Sequence, residues 1–148
     1  MEAVIFCGIQ ASGKSSFYKE RFFRTHLRLS LDMLNTRNKE DKFLDVCLQT
    51  QQRFVVDNTN PTAVERGRYI ALARSYKYRV VGYYFQSSLP EAVRRNSTRQ
   101  GKELISEIGI RSTYSKLQIP DPGEGFDELY YVAISENGFL IKTWQDEV

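Results

Sequence analysis

Gly8-Ile9-Gln10-Ala11-Ser12-Gly13-Lys14-Ser15 follows directly on the apolar run Ala3-Val4-Ile5-Phe6-Cys7. It matches G-x-x-x-x-G-K-[ST] at every fixed position, the pattern of a loop that cradles a phosphate. A loop that wraps an anion closely needs glycine where a Cβ would forbid the backbone. Successive N–H groups then point inward as an anion nest, and the helix that starts at the loop's end adds its partial positive charge. Lys14 reaches toward the β- and γ-phosphates, and Ser15 offers a hydroxyl to Mg²⁺. Ser16 follows in the first helical turn and joins residues 8–15 as a nucleotide-contact candidate. The pattern also occurs by chance in strand–helix turns that bind nothing. Here it lies between an apolar strand and a helix, the context its chemistry needs, so ATP with Mg²⁺ is the expected ligand pair.

Outward from the loop, apolar segments alternate with helical ones. Residues 2–7 read as a buried strand and 14–24 as a helix. Residues 26–31 alternate polar and apolar, as a second strand does. A helix over 40–52 leads to a third strand over 53–57. Asn60 is a helix cap with Pro61 at the first helical position, and Thr62 with Glu65 offers an alternative capping box. That helix runs to about Ser75. Residues 78–85 are a fourth strand, rich in β-branched and aromatic side chains. Ser88 with Glu91 opens a further helix through about Asn96, and another covers 105–117. Two apolar pieces, 128–134 and 139–142, flank Glu136-Asn137-Gly138 as a terminal hairpin. Strand–helix alternation of this kind specifies an α/β fold with a mainly parallel sheet flanked by helices.

The chain of 148 residues carries 21 Lys or Arg against 18 Asp or Glu, with 41% hydrophobic residues. That fits a single domain over residues 1–148 with a core of its own. It excludes a disordered chain, a collagen-like repeat and a disulfide scaffold. No apolar run approaches the ~18 residues of a membrane span, so no membrane partner is expected. The start Met1-Glu2 does not read as a secretory signal. Two isolated thiols, Cys7 and Cys47, fit a reducing compartment, and the expected localisation is cytoplasmic. The formal charge of +3 neither demands nucleic acid nor discourages an anionic ligand.

Sites on parallel sheets lie at the carboxyl ends of the strands. Three polar clusters fall there: residues 8–15, Asp32 and Asp57. Asn38-Lys39-Glu40-Asp41 matches a guanine-reading N-K-x-D motif, but no strand precedes it, and a charged, solvated helix start is the better reading. No D-x-x-G follows a strand either, which disfavours a GTPase switch. Asp32 follows the second strand, whose carboxyl end lies close to the loop in such a sheet. A carboxylate there can take a proton from an attacking hydroxyl, or it is simply a helix cap. Asp57 closes the run Phe54-Val55-Val56 and can hold Mg²⁺ through a water, or it only starts the turn Asp57-Asn58-Thr59-Asn60-Pro61. Arg95 and Arg99, four apart in Arg94-Arg95-Asn96-Ser97-Thr98-Arg99, share a face if helical. They suit a mobile helical lid that closes on the phosphates, or a solvated basic face.

Taken together these segments resemble the kinase domain of the polynucleotide 5′-hydroxyl kinases, the end-healing P-loop phosphotransferases. The matching parts are residues 8–15, Asp32, Asp57-Asn58-Thr59-Asn60-Pro61 and Val93-Arg94-Arg95-Asn96-Ser97-Thr98-Arg99. Ile110-Arg111-Ser112-Thr113-Tyr114-Ser115-Lys116 and the stretch from Pro120 through Glu124-Gly125-Phe126-Asp127-Glu128 also match. The resemblance implies a single P-loop kinase domain that transfers phosphate from ATP to the 5′-hydroxyl end of DNA or RNA. By position, Lys14 and Ser15 hold the ATP phosphates and Mg²⁺, and Asp32 is the general base. Asp57 supports substrate or metal, and Arg95 and Arg99 bind nucleotide phosphates, with Arg99 counted as catalytic. The family's phage member has an Arg three residues after its base to grip the substrate. This chain has Asn35 there, and Arg37 is the nearest Arg, so either Arg37 reaches the substrate by another route or the acceptor is gripped differently. No phosphatase or ligase motif is present, so a partner activity of that kind belongs to a separate chain. Two other readings use the same scaffold: a kinase of a small metabolite and a non-catalytic nucleotide-binding module. A base at Asp32 argues against the last.

Overall fold

The computed structural model describes residues 1–86 and 88–144. Its elements run β1 (Glu2–Cys7), α1 (Lys14–Arg21), β2 (Leu27–Leu29), α2 (Leu31–Leu34), α3 (Arg37–Thr50), β3 (Phe54–Val56) and α4 (Ala63–Ser75). They continue with β4 (Arg79–Phe85), α5 (Leu89–Asn96), α6 (Glu107–Lys116), β5 (Glu128–Ser135) and β6 (Gly138–Thr143). The six strands form one sheet in the order β2-β3-β1-β4-β5-β6. The first five strands in that order pair parallel, and β6 closes the edge antiparallel to β5. The expected α/β sheet is therefore present.

Period-two alternation sends the two faces of the central strands into two cores. On one face Ala3, Ile5, Phe54, Val56 and Val80 meet Leu44, Cys47 and Leu48 of α3 and Tyr69, Ile70 and Ala73 of α4. On the other, Val4, Phe6, Val55 and Phe85 meet Phe17, Tyr18 and Phe22. Phe6 and Phe85 touch edge-on with ring centroids 4.8 Å apart. A third, smaller cluster joins Ile9 and Ala11 of the loop to Ala92 of α5 and Ile110 of α6. The lid helices thus have their own apolar attachment to the phosphate loop. Both cysteines are buried and unbridged, and burial pushes each thiol up to about 11.

Several boundaries differ from the sequence reading. Thr62, not Asn60, caps α4: its side chain accepts from Glu65 N while Glu65 reaches back to Thr62 N. Asn60 is drawn elsewhere, donating from Nδ2 to Phe6 O at 2.7 Å. The helix that begins at Lys14 stops at Arg21 because the chain turns at Phe22 to bring His26 back under Tyr18, whose hydroxyl donates to His26 O at 2.6 Å. β2 is three residues long, and β3 stands between it and β1, so the second strand is not the loop's immediate neighbour. Helix α3 begins at Arg37 rather than 40, with Thr36 as its cap. In the hairpin, Ser135 pairs with Gly138, leaving Glu136 and Asn137 as the turn.

Gly82 marks the tightest packing in β4. A Cβ there would lie 2.6 Å from Phe126 Cε1 and 2.8 Å from Leu129 Cδ1. Gly82→Ala should therefore cost ~1–3 kcal/mol, the usual range for overpacking. Urea denaturation checks this, and adding Phe126→Leu should recover part of the loss.

Candidate active site

The loop is shaped by its neighbours. A Cβ on Gly8 would stand 2.9 Å from Phe85 Cβ and 3.0 Å from Phe85 O, so the end of β4 admits no side chain there. Gly13 has φ +96°, and a Cβ on it would also meet Phe139 and Ile134 of the hairpin at 3.0 and 3.1 Å. Ala11 takes the left-handed region as well, at φ 60°. Ile9 and Ala11 point their side chains into the lid cluster, so they offer the loop interior only backbone. Gln10 Nε2 donates to Thr113 Oγ1 at 2.9 Å and ties the loop to α6. Ser12 Oγ donates to Ile9 O at 2.7 Å. Ser16 is exposed in the first turn of α1.

Lys14 Nζ donates to Gly8 O at 2.9 Å and Ile9 O at 2.7 Å, which lays its ammonium across the loop. Burial lowers its pKa to about 8. Asp57, Cys7 and Asp32 act against that shift, and Arg99 adds to it. The charges of Asp57, Asp32 and Arg99, which come from three other segments, therefore all reach Lys14.

Asp57 ends β3 with a side chain only 2% exposed. Its Oδ2 accepts from Ser15 Oγ at 3.1 Å and from Arg28 Nε at 2.8 Å. The hydroxyl of Ser15 and the carboxylate of Asp57 are hard oxygen donors of the kind Mg²⁺ takes, so the pair fits that ion. Among the described residues no group of three or more His, Cys, Asp or Glu side chains could hold a metal. Further ligands would have to come from phosphate and water.

Asp32 lies exposed in α2, a single turn that follows β2. The turn's first amide, Leu31 N, donates to Asn58 Oδ1 at 2.9 Å. Asn58 Nδ2 in turn donates to Glu40 Oε2 at 2.8 Å. Glu40 is wholly buried, unlike Asn38, Lys39 and Asp41, which are exposed as the solvated reading of this helix start expects. The Tyr69 hydroxyl donates to it, and burial, then this bond, push Tyr69 up to about 12. Arg37, half-exposed, donates from Nη1 to the Tyr69 hydroxyl at 2.7 Å and to Glu40 Oε1 at 3.3 Å. Arg68 Nη1 of α4 lies 3.6 Å from the same Glu40 oxygen, and its other amine pairs with Asp41. Asn35 caps α2 at φ 73°. A positive φ is tolerated better by Asn than by most side chains.

The lid departs from expectation in one respect. Helix α5 ends at Asn96, because the Asn96 side chain bonds both ways to the backbone of Ile105. Arg95 and Arg99 thus do not share a helical face. Arg95 Nη1 donates to Ala11 O of the loop at 3.2 Å, and its Nη2 meets Glu91 Oε2 at 3.2 Å. Arg99 donates to Glu103 O at 3.3 Å from the turn beyond. Arg95, Tyr84, Tyr114 and Ile134 help line a cleft of about 710 Å³ beside the loop.

Arg28, Glu40, Arg68 and Tyr69 were not among the expected site residues, nor was the pair Arg66–Glu124. Arg66 is fully buried, pairs with Glu124 through Nε at 2.9 Å and Nη2 at 3.0 Å, and donates to Asn60 O at 2.9 Å. It thereby fixes the turn after Asp57. A signal for Arg28 existed: in parallel register it faces Val55, which places it on the same side of the sheet as Asp57.

A parallel sheet with a glycine-rich loop, a lysine at the helix start and arginines in a covering lid defines a P-loop kinase fold. The family model described as "AAA domain" matches residues 4–113, and the chain belongs to that family. A "Bifunctional polynucleotide phosphatase/kinase" of Schizosaccharomyces pombe is 30% identical over 130 residues. That match takes in 84% of this chain, which spans about a third (32%) of the relative's length. Among solved structures, Chaetomium thermophilum Kti12 in complex with ADP-AlF3 superposes with a TM-score of 0.64 at 14% identity, covering 91% of this chain and 92% of Kti12. AvrRxo1-ORF1:-ORF2 with ATP gives a TM-score of 0.72 at 12% identity, covering 95% of this chain and 57% of that one. At such identity the two structures bear on the fold alone. No helix among the described residues is long and apolar enough to cross a membrane.

The lowered Lys14 pKa carries a pH dependence. The protonated amine is the form that attracts phosphate, and in the free protein it is lost as pH rises through about 8. ATP affinity should fall across that range, while the nucleotide's own phosphates are already ionised. Calorimetric titrations above and below this pH check it. Lys14→Arg, always charged, should show no such fall.

Proposed function

We propose that the chain is an ATP-dependent kinase that phosphorylates the 5′-hydroxyl end of DNA or RNA. The observation that carries the reading is the loop of residues 8–15 with Lys14 laid across it, Ser15 bonded to the buried Asp57, and Arg95 reaching Ala11 O. A protein that only binds nucleotide needs the loop. It does not need an exposed carboxylate, Asp32, on the helical turn after β2.

In this reading the loop amides and Lys14 hold the β- and γ-phosphates, and Arg95 and Arg99 meet them from the lid. Asp32 takes the proton of the attacking hydroxyl and aligns it with the γ-phosphorus. Ser15 and Asp57 would hold Mg²⁺, which when bound neutralises phosphate charge. Fixed cations around the transferring group stabilise charge as it builds on the leaving oxygen.

The name of the S. pombe relative supports a polynucleotide acceptor, and so does the ground beyond Asp32. Arg37 is pinned by Tyr69 and Glu40, Arg68 shares that carboxylate, and Lys39 and Lys42 are exposed on the same helix start. We assign Arg37 the phosphate grip that Asn35 does not provide. A strand of nucleic acid leaving Asp32 in this direction meets basic side chains, whereas a neutral metabolite has no use for them.

The reading is tested with labelled ATP and two acceptors, a 5′-hydroxyl oligonucleotide and a free nucleoside, at two salt concentrations. The oligonucleotide should be the better acceptor, with an affinity that falls with salt by a log–log slope of about −0.7 per phosphate contact. Arg37→Ala should raise the KM for the oligonucleotide and flatten that slope by about one contact. Equal, salt-insensitive rates on both acceptors would instead favour a metabolite kinase. Asp32→Asn should keep ATP affinity while turnover drops roughly 10²–10⁴-fold, the range of a general base. Wild-type turnover in this variant would reduce Asp32 to a helix-turn residue.

A further inference from the structure

The pairing of Ser15 with Asp57 involves a third side chain. Arg28, the middle residue of β2, donates from Nε to Asp57 Oδ2 at 2.8 Å and from Nη2 to Ser15 Oγ at 2.9 Å. Ser15 Oγ itself lies 3.1 Å from the same Asp57 oxygen, so the three groups close a triangle. Backbone holds it in place. Arg28 is fixed opposite Val55 by the β2–β3 ladder, and Asp57 N donates to Leu29 O at 2.8 Å. The guanidinium carbon also lies 6.0 Å from the centre of the Tyr18 ring. A single cation therefore engages both side-chain oxygens, one from the loop and one from the end of β3, that fit a metal.

We propose that Arg28 is a positioning residue of the phosphate-donor site, holding Ser15 and Asp57 in place and making their capture of a divalent cation conditional on the nucleotide. The inference rests on the reading of residues 8–15 as a nucleotide site. A carboxylate as buried as Asp57 is costly without a cation beside it, and Arg28 fills that need in the free protein. Mg²⁺ seeks a near-octahedral shell of about six oxygens. Ser15 and Asp57 supply two side chains toward it, and the described residues add no cluster of three. A cation arriving alone would have to displace a two-point arginine contact and gain few protein ligands in return. A cation arriving with nucleotide brings phosphate oxygens that complete its shell. Arg28 can then release Asp57 while its aliphatic stem stays on β2 beside the Tyr18 ring. Lys14 favours the same order, since its charge near Asp57 also opposes a lone cation.

The test is binding of Mn²⁺, used as a paramagnetic substitute for Mg²⁺, to the full chain. Free Mn²⁺ is read by electron paramagnetic resonance without nucleotide and with a non-hydrolysable ATP analogue. Wild type should bind Mn²⁺ weakly alone and much more tightly with the analogue. Arg28→Ala should bind Mn²⁺ alone about tenfold more tightly than wild type, equivalent to ~1.4 kcal/mol. With the analogue present both should bind more tightly, Arg28→Ala still ahead by a similar factor. Arg28→Lys keeps a charge without the planar fork and should fall between them. It serves in place of the alanine variant if that one does not fold by circular dichroism. Asp57→Asn should lose the site in either background. Equal affinity of wild type and the Arg28 variants for Mn²⁺ alone would overturn the inference. If the analogue itself does not bind wild type, the nucleotide-site reading falls, and the inference with it. Analogue binding with no Arg28 effect would remove the inference alone.

Discussion

A carboxylate taken out of water must be met by cations and hydrogen-bond donors, and two such groups organise the carboxyl edge of this sheet. Asp57, 2% exposed, gathers Ser15 from the loop and Arg28 from β2. Glu40, fully buried, gathers Tyr69, Asn58, Arg37 and Arg68 from three further segments. The two centres are joined through Asn58, the residue after Asp57, whose side chain also accepts from the amide preceding Asp32. The two centres are thus held together by groups that cannot relax without stranding a buried charge.

The sheet order makes this arrangement available. β1 delivers the loop, β3 next to it delivers Asp57, and β2 beyond that delivers Arg28 and the turn with Asp32. On the opposite flank, β4 and the hairpin press on Gly8 and Gly13 and leave the loop no side-chain room. The lid helices close the remaining side through Ile9, Ala11, Ala92 and Ile110. Each wall of the site is therefore also a packing contact. Substitutions that loosen the core should be felt at the loop.

Much of this was legible in the sequence where its cause is local. The loop is encoded by glycines at positions whose neighbours or dihedrals exclude a Cβ. The apolar strands announce themselves by their composition, and the Thr62–Glu65 cap needs only four consecutive residues. What escaped depends on contacts far along the chain. The end of α5 near Asn96 was legible, but the Asn96–Ile105 contact that seals it was not, and it leaves Arg99 beyond the helix and off the face of Arg95. Glu40 sits in a run of charges that reads as solvated. Its burial depends on Tyr69, Asn58 and Arg68, all distant along the chain. Arg28 lies in the alternating run 26–31 that reads as a strand, but its pairing with Asp57 depends on the β2–β3 register, which the sequence does not show.

The central claim is that these groups transfer the γ-phosphoryl of ATP directly to a hydroxyl at a nucleic-acid end. The most direct measurement is a single-turnover experiment with γ-labelled ATP. It compares one oligonucleotide in two forms, with a 5′-hydroxyl and with a 5′-phosphate. The account predicts that label appears at the 5′ terminus of the first form and on neither end of the second. Release of label as inorganic phosphate at one rate with both forms, with none joined to the oligonucleotide, would contradict it.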